Sequence, residues 1–347
     1  MKIKYITIAT SVIGFLSSHV LIAEEYEIPT GVSVGGSLQV EAQFNQDYDA
    51  IDSSDFVIDE ATLWVEAQVH KWVKTKVVFL YEEGSTPLEI DEAFITWSNL
   101  DVSPVYLEAG QLYVPFGYFD TYMISDPLTL EIAETREKTL KLGFNTKGLY
   151  GSVYAFNGST QDDSEDKIDH YGASIGFTQE TDFLNYDLGV GYINDIGDTG
   201  GLTDALGGDN VASLVNYDYV EGLDAYFSLG LGSVKLMGEY VTAFDPFHVD
   251  HLAFNGKGAE PKAWHTEVAY TFNMVGKEMT LALGYQGSDE ATALGLPEKR
   301  YLGVLSAGLY QNTTLSLEYA FDEDYAESDG GTGEDANQII LQLAVEF

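Results

Sequence analysis

Asp and Glu are the residues of this chain whose side chains could do chemistry, and five of them fall in one long segment that is otherwise rich in apolar residues. The chain carries 56 Asp and Glu against 16 Lys and Arg, a formal net charge of −40. Between residues 113 and 137 the sequence YVPFGYFDTYMISDPLTLEIAETRE mixes aromatic and apolar residues with acidic ones. Its charged side chains include Asp120, Asp126, Glu131, Glu134 and Arg136. Such a charge attracts cations and repels polyanions, so nucleic acid is not expected as a partner.

Motifs for catalysis or metal binding have little support in the sequence. Neither HExxH nor a phosphate-binding glycine loop is present. The six histidines show no zinc spacing apart from HVDH at His248 and His251, and a surface pair is the simpler interpretation of those two. The acidic stretches 46–55, 161–169 and 322–335 match no calcium-loop pattern. We therefore predict no enzyme, no cofactor and no metal site.

The elements that must position these carboxylates are strands, as the last eleven residues show. Apolar Ile339, Leu341, Leu343, Val345 and Phe347 alternate with Gln338, Gln342, Ala344 and Glu346. That period of two is typical of a strand between two unlike environments. Sixteen such segments can be placed, at about 31–44, 56–69, 72–82, 88–98, 104–112, 138–146, 148–157, 168–178, 182–193, 221–231, 233–244, 262–273, 276–287, 299–309, 312–321 and 336–347. A soluble sandwich would show the same alternation with its apolar face inward.

The amino terminus and the connections favour the membrane alternative. Lys2 and Lys4 precede an uncharged run and small residues, which predicts a signal peptide over 1–23 and a barrel over 24–347, with an uncleaved anchor as the alternative. Connections after even-numbered segments are short, whereas most of those after odd-numbered segments are long. We therefore predict an all-β fold, a 16-stranded antiparallel transmembrane β-barrel with short periplasmic turns and long extracellular loops. Its expected location is the outer membrane of a Gram-negative bacterium.

A barrel of this size leaves an aqueous channel, so residues that face its lumen are the candidate site. The polar faces of the segments predict the lumen-lining set Glu41, Glu66, Glu92, Glu108, Asp187, Lys235, Glu239, Glu267 and Glu318. The apolar segment 113–137 would fold inward as a constriction loop. Its candidate selectivity residues are Phe116, Tyr118, Asp120, Asp126, Glu131, Glu134 and Arg136. A plug that only stiffens the barrel is the alternative for this loop.

Residues 88–137 also carry a family resemblance. GQLYVPFGYFDTYMISDPLTLEIAETRE, preceded by IDEAFITW, resembles the LbtU-type siderophore porin family, and its GQ-x-x-x-PFG turn is similar to the phosphate-selective porin superfamily. The first resemblance implies an outer-membrane barrel for uptake of a ferric siderophore. A phosphate channel needs a ladder of basic side chains, and only 14 basic residues would remain beyond Lys2 and Lys4. We therefore do not expect this chain to select phosphate.

These observations lead to ranked expectations for function and partners. The first is a porin that passes a small-molecule solute, a ferric siderophore by resemblance. A general cation-preferring porin and a structural or adhesive outer-membrane protein with ion-binding acidic loops are the alternatives. Expected partners are outer-membrane lipid and lipopolysaccharide, while a monomer and a trimer both remain open.

Overall fold

The described part of the chain is almost entirely β-structure. The computed structural model describes residues 31–161, 167–181, 183–208, 211, 214 and 217–347, so the predicted signal peptide over 1–23 lies outside the described residues. The barrel strands are β1 Gly31–Gln46, β2 Asp52–His70, β3 Val73–Glu82, β4 Thr86–Ser98, β5 Val105–Tyr113, β6 Arg136–Thr146, β7 Leu149–Phe156, β8 His170–Glu180, β9 Leu184–Ile193, β10 Gly222–Leu231, β11 Val234–Ala243, β14 Lys262–Met274, β15 Lys277–Asp289, β16 Lys299–Tyr310, β17 Thr313–Glu323 and β18 Asp335–Glu346.

The loops contain a few short elements of their own. These are the helices α1 Leu128–Ala133 and α2 Gly200–Leu206, and a hairpin of β12 Ala253–Phe254 with β13 Lys257–Gly258. The alternation of the sequence did not predict them, because none is long enough to show a period. No helix in the described ranges is long and apolar enough to cross a bilayer.

The sixteen long strands close into one antiparallel barrel, which confirms the predicted fold class. Each strand pairs with its neighbour in the chain, and closure comes from β1 against β18, from Ser37 opposite Glu346 to Gln46 opposite Asn337. The backbone N–H of Gly36 also donates to the carbonyl of Phe347 at 3.0 Å, which binds the carboxy-terminal residue to the first strand. A closed ladder leaves no strand edge unpaired, so every spanning segment satisfies its backbone groups.

The two faces of the wall differ as the alternation predicts. On β17 and β18 the side chains of Leu317, Leu341 and Leu343 are 41 to 49% exposed, whereas inward Glu318 is 1% exposed. Exposed leucine and valine rows recur around the barrel. A surface of this kind is stable against lipid tails rather than water, because transfer of apolar side chains from water to lipid is favourable.

The connections separate into two rims. Two-residue turns at 71–72, 147–148, 232–233, 275–276 and 311–312 lie on the rim that holds both ends of the barrel. Long connections at 114–135, 194–221, 244–261 and 324–334 join strands at the opposite rim. This asymmetry is the outer-membrane arrangement, with the short turns on the periplasmic side.

Candidate functional site

The connection between β5 and β6, residues 114–135, lies inside the barrel; we call it the inner loop. Its helix α1 contacts β11, β14 and β15. Those strands are separated from β5 by β6 to β10 in the closed order. The inner loop therefore crosses the interior from one wall to the other instead of projecting into external water.

Three wall glutamates hold the inner loop by its backbone. Glu239 on β11 accepts from the N–H of Tyr118 at 2.5 Å and of Phe119 at 3.3 Å. Glu267 on β14 accepts from the N–H of Tyr122 at 2.9 Å. Glu318 on β17 accepts from the N–H groups of Ile124 and Ser125. Backbone N–H groups of the inner loop, spaced about three residues apart, thus donate to successive wall carboxylates.

Side-chain donors complete the same anchors. Thr129 donates its hydroxyl to Glu239 at 2.6 Å, Thr121 to Glu267 at 2.5 Å and Ser125 to Glu318 at 2.5 Å. The N–H of Leu128 donates to the side-chain oxygen of Gln286 at 3.0 Å. Hydrogen bonds to a carboxylate are stronger than neutral ones, so this row fixes the inner loop across the lumen.

Burial changes the role of four predicted lining residues. Glu239, Glu267 and Glu318 do occupy inward positions, but they are only 4, 1 and 1% exposed because the inner loop covers them. Glu41 is 2% exposed and accepts from Gln342 at 2.8 Å. These four carboxylates do not line open water, which corrects the expectation from alternation alone.

The apolar side of the inner loop builds a hydrophobic core within the barrel. Phe116 and Ile132 are fully buried, in one cluster with residues of the connections 194–221 and 244–261. The helix α2 packs on α1 from the extracellular side. Phe116 therefore supports the loop from inside this core, which corrects the expectation that it is a selectivity residue.

Among the described residues, the hydrophobic clusters inside the barrel include none from β1, β2 or β3, so the lumen is least filled beside these strands. There Asp126 of the inner loop is exposed to the lumen. Glu60 on β2 and Glu82 on β3 are close enough to repel its negative charge. The inner loop and the wall therefore both contribute carboxylates to this region.

Two carboxyl groups of the inner loop have raised pKa values. Enclosure by the protein, followed by repulsion from Glu131, Glu82 and Glu60, raises the pKa of Asp126 to about 6. Burial, followed by repulsion from Asp126, raises the pKa of Glu134 to about 7, although nearby Arg136 opposes this shift. Removal from water and nearby like charges both favour the protonated form, and removal from water is the larger cause for both groups.

The basic side chains on the inner wall are neutralised by carboxylates of nearby strands or of the inner loop. Arg136 contacts Glu89 at 2.6 Å and Asp91 at 2.8 Å, so it belongs to the wall rather than to the free constriction. The other ion pairs are Lys74 with Glu66 at 3.2 Å, Lys76 with Glu92 at 2.7 Å, Lys141 with Glu108 at 2.6 Å, Lys235 with Asp120 at 2.6 Å and Arg300 with Asp322 at 2.8 Å. Predicted Glu66, Glu92 and Glu108 are therefore charge-balanced, whereas Asp126 is not paired in this way.

Two inward glutamates that were not predicted from the sequence could have been found from the alternation of their strands. Glu60 lies in phase with inward Glu66 on β2, and Glu82 lies in phase with inward Lys76 on β3. Asp91 has no such signal, because a register shift between β3 and β4 makes it an extra residue in its strand. Tyr118 and Asp187 of the predicted set lie together with other tyrosines, as described below.

Apparent chemical motifs find no supporting context among the described residues. The letters GVSVG at 31–35 match the GxSxG pattern of serine hydrolases, but Ser33 lies within β1 and not at a strand-to-helix turn. No group of three or more His, Asp or Glu among the described residues is arranged to hold a metal ion.

Comparison with known proteins gives relatives in sequence and in structure. No family model matches the chain. A UPF0422 protein of Legionella pneumophila subsp. pneumophila, strain Philadelphia 1, is 29% identical over 364 residues, which cover 93% of this chain and 68% of that protein. The name of this relative does not indicate a siderophore, so the LbtU-type resemblance stays a prediction.

Solved barrels match nearly the whole chain. The outer membrane channel DcaP of Acinetobacter baumannii aligns with a TM-score of 0.62 at 14% identity, over 94% of this chain and 100% of that one. OprB of Pseudomonas putida aligns with a TM-score of 0.63 at 11% identity, over 91% and 94% of the two chains. At such identities the likeness shows the fold. With its outward apolar surface, this barrel belongs in the outer membrane of a Gram-negative bacterium.

Proposed function

We propose that the protein is a passive outer-membrane channel that prefers cations. One observation carries the proposal: carboxylates of the inner loop and of the wall lie close enough to repel one another, while the basic side chains of the inner wall are paired. Asp126 is repelled by Glu60 and Glu82, and Lys76 and Arg136 are bound to wall carboxylates. Rings of carboxylates favour cations and exclude anions.

Permeation needs no moving part in this scheme. A hydrated cation enters from the extracellular rim, passes between the inner loop and strands β1 to β3, and leaves at the periplasmic turns. The carboxylates attract the cation but do not strip its water, because among the described residues they are spread over the wall rather than gathered into a metal site. Binding stays weak enough for release.

A ferric siderophore is the finer candidate for the natural solute, and it rests on the resemblance of residues 88–137. Electrostatics restrict its chemistry to a neutral or cationic chelate, since an anionic one would meet Asp126, Glu60 and Glu82. Growth on such a chelate as sole iron source, with and without the gene, tests this. Equal growth of both strains would contradict the siderophore assignment and leave the channel proposal standing.

The channel proposal itself is tested by recording purified protein in planar bilayers. We expect discrete conductance steps and, in a potassium chloride gradient, a reversal potential displaced toward that of potassium. The reason is that the uncompensated lumen charge is negative. A reversal potential on the chloride side, or a failure to form steps at all, would reject the proposal and favour a structural role.

Cation preference is also expected to depend on pH. Above pH 7 both Asp126 and Glu134 are ionised, and lowering the pH through about 7 and then about 6 protonates Glu134 and Asp126 in turn. The reversal potential should therefore move toward zero between about pH 8 and about pH 5, within the range where an unperturbed Asp would stay charged. A reversal potential that is constant over this range would show that these two groups do not set selectivity.

A further inference from the structure

The periplasmic side of the inner loop carries a cluster of tyrosines and carboxylates that ion passage alone does not require. We call it the tyrosine cleft. It consists of Tyr118, Asp120 and Tyr122 of the inner loop with Tyr150, Asp187, Tyr226 and Lys235 of the wall. Tyr226 lies one inward position nearer the periplasmic rim than Asp224 on β10, and Asp224 accepts a hydrogen bond from the backbone of Gly117 in the inner loop, so the cleft lies on the periplasmic side of that contact.

One part of the cleft already binds an ammonium group, that of the protein itself. The Nζ of Lys235 lies 2.6 Å from Oδ2 of Asp120 and 5.4 Å from the ring centroid of Tyr122. A carboxylate beside an aromatic face is a combination that recognises organic ammonium ions. Lys235 thus shows, within the chain, the kind of group that these two side chains hold.

The other part of the cleft has the same chemistry, and its carboxylate has no basic partner among the described residues. Asp187 accepts a hydrogen bond from the hydroxyl of Tyr150, and this neutral phenol does not cancel its charge. The Tyr150 and Tyr226 hydroxyl oxygens are 2.5 Å apart. The rings of Tyr118 and Tyr226 stack with centroids 4.1 Å apart and planes 7° apart, which gives the cleft an aromatic wall.

We propose that the tyrosine cleft is a binding site for an organic ammonium ion that carries an apolar group. The ammonium group donates to Asp187, and the apolar group packs on the stacked rings of Tyr118 and Tyr226. All the tyrosines of the cleft are partly exposed, so the site is open to the lumen. The inference deepens the proposed function, since the ligand reaches the cleft through the same lumen.

Calorimetric titration of the folded, detergent-solubilised protein tests the site without requiring conduction. The probe is benzylammonium, and its neutral analogue is benzyl alcohol. We expect benzylammonium to bind at least about tenfold more tightly, which corresponds to one ion pair worth about 1.4 kcal/mol. Equal affinity for the two probes would overturn the proposal.

Two variants assign the binding to the cleft. Asp187→Asn should weaken benzylammonium about tenfold, while Lys235→Met should tighten it because Asp120 loses its tethered cation. Asp101→Asn, in an exposed periplasmic turn, is the matched control and should bind as the wild type does. Unchanged affinity in Asp187→Asn would also overturn the proposal. Loss of benzylammonium binding with intact conductance removes only this site, whereas binding without conductance removes only the channel.

Discussion

Glu239→Ala is expected to release the inner loop from the barrel wall and so to enlarge and destabilise the open channel. The substitution leaves the N–H groups of Tyr118 and Phe119 and the hydroxyl of Thr129 without their acceptor. Each buried donor that loses its partner costs about 1–3 kcal/mol unless water replaces the bond. Single-channel recording should show a larger, noisier conductance, and amide hydrogen exchange should speed up at residues 118 and 119.

The matched control for Glu239→Ala is Glu66→Ala, which also removes an inward glutamate. Glu66 pairs with Lys74 on the neighbouring strand and makes no hydrogen bond to the inner loop. Glu66→Ala should therefore leave the current noise and the amide hydrogen exchange of the inner loop unchanged. Glu239→Gln retains one acceptor oxygen and should fall between the wild type and the alanine variant. A quiet, wild-type current from Glu239→Ala would show that the anchors do not hold the loop.

Asp126→Lys is expected to give the largest change in ion selectivity of any single substitution in the lumen. It changes the charge by two units at a residue that Glu60 and Glu82 are close enough to repel. Two unit charges 4 Å apart in water interact by about 1 kcal/mol, and by more where the protein excludes water. Because about 1.4 kcal/mol is a factor of ten, the permeability ratio of potassium to chloride should fall by at least about fivefold.

The control for this charge change is Asp101→Lys, which alters net charge equally but lies in the turn between β4 and β5 outside the lumen. Asp101 lies at the opposite rim from the Glu82 end of β3, farther than about 8 Å, the distance beyond which physiological salt largely screens a charge. Its reversal potential should match that of the wild type. If both lysine variants shift selectivity by the same amount, total charge rather than the constriction would determine ion preference.

Parts of the site followed from sequence because they depend on strand phase. Inward Lys235 and Glu239 on β11 alternate with outward Leu236 and Tyr240, as the polar and apolar spacing predicts. The apolar character of residues 113–137 predicted an inner loop for the same kind of reason. Phe116 and Leu128 are too apolar to be stable in external water, and both are buried inside the barrel.

What the sequence could not supply is the partner of each polar group. Glu318 is separated from Ile124 by 194 positions, and no local pattern encodes that hydrogen bond. Alternation also fails at a bulge, which is why Asp91, the partner of Tyr113 and Arg136, was missed. Long-range contacts of this kind form only when the barrel has closed and the loop has entered it.

The sequence by itself determined sixteen amphipathic strands, because a period of two assigns each residue to one of two faces. The amino terminus and the alternation of short and long connections then favoured a membrane barrel with the apolar face outward. The sequence also determined that the wall is acidic. Only the tertiary structure decided which acidic groups meet water: the inner loop covers Glu239, Glu267 and Glu318 and leaves Asp126 exposed near Glu60 and Glu82. The reason is that alternation specifies a direction for a side chain, whereas its environment depends on what another part of the chain places in front of it.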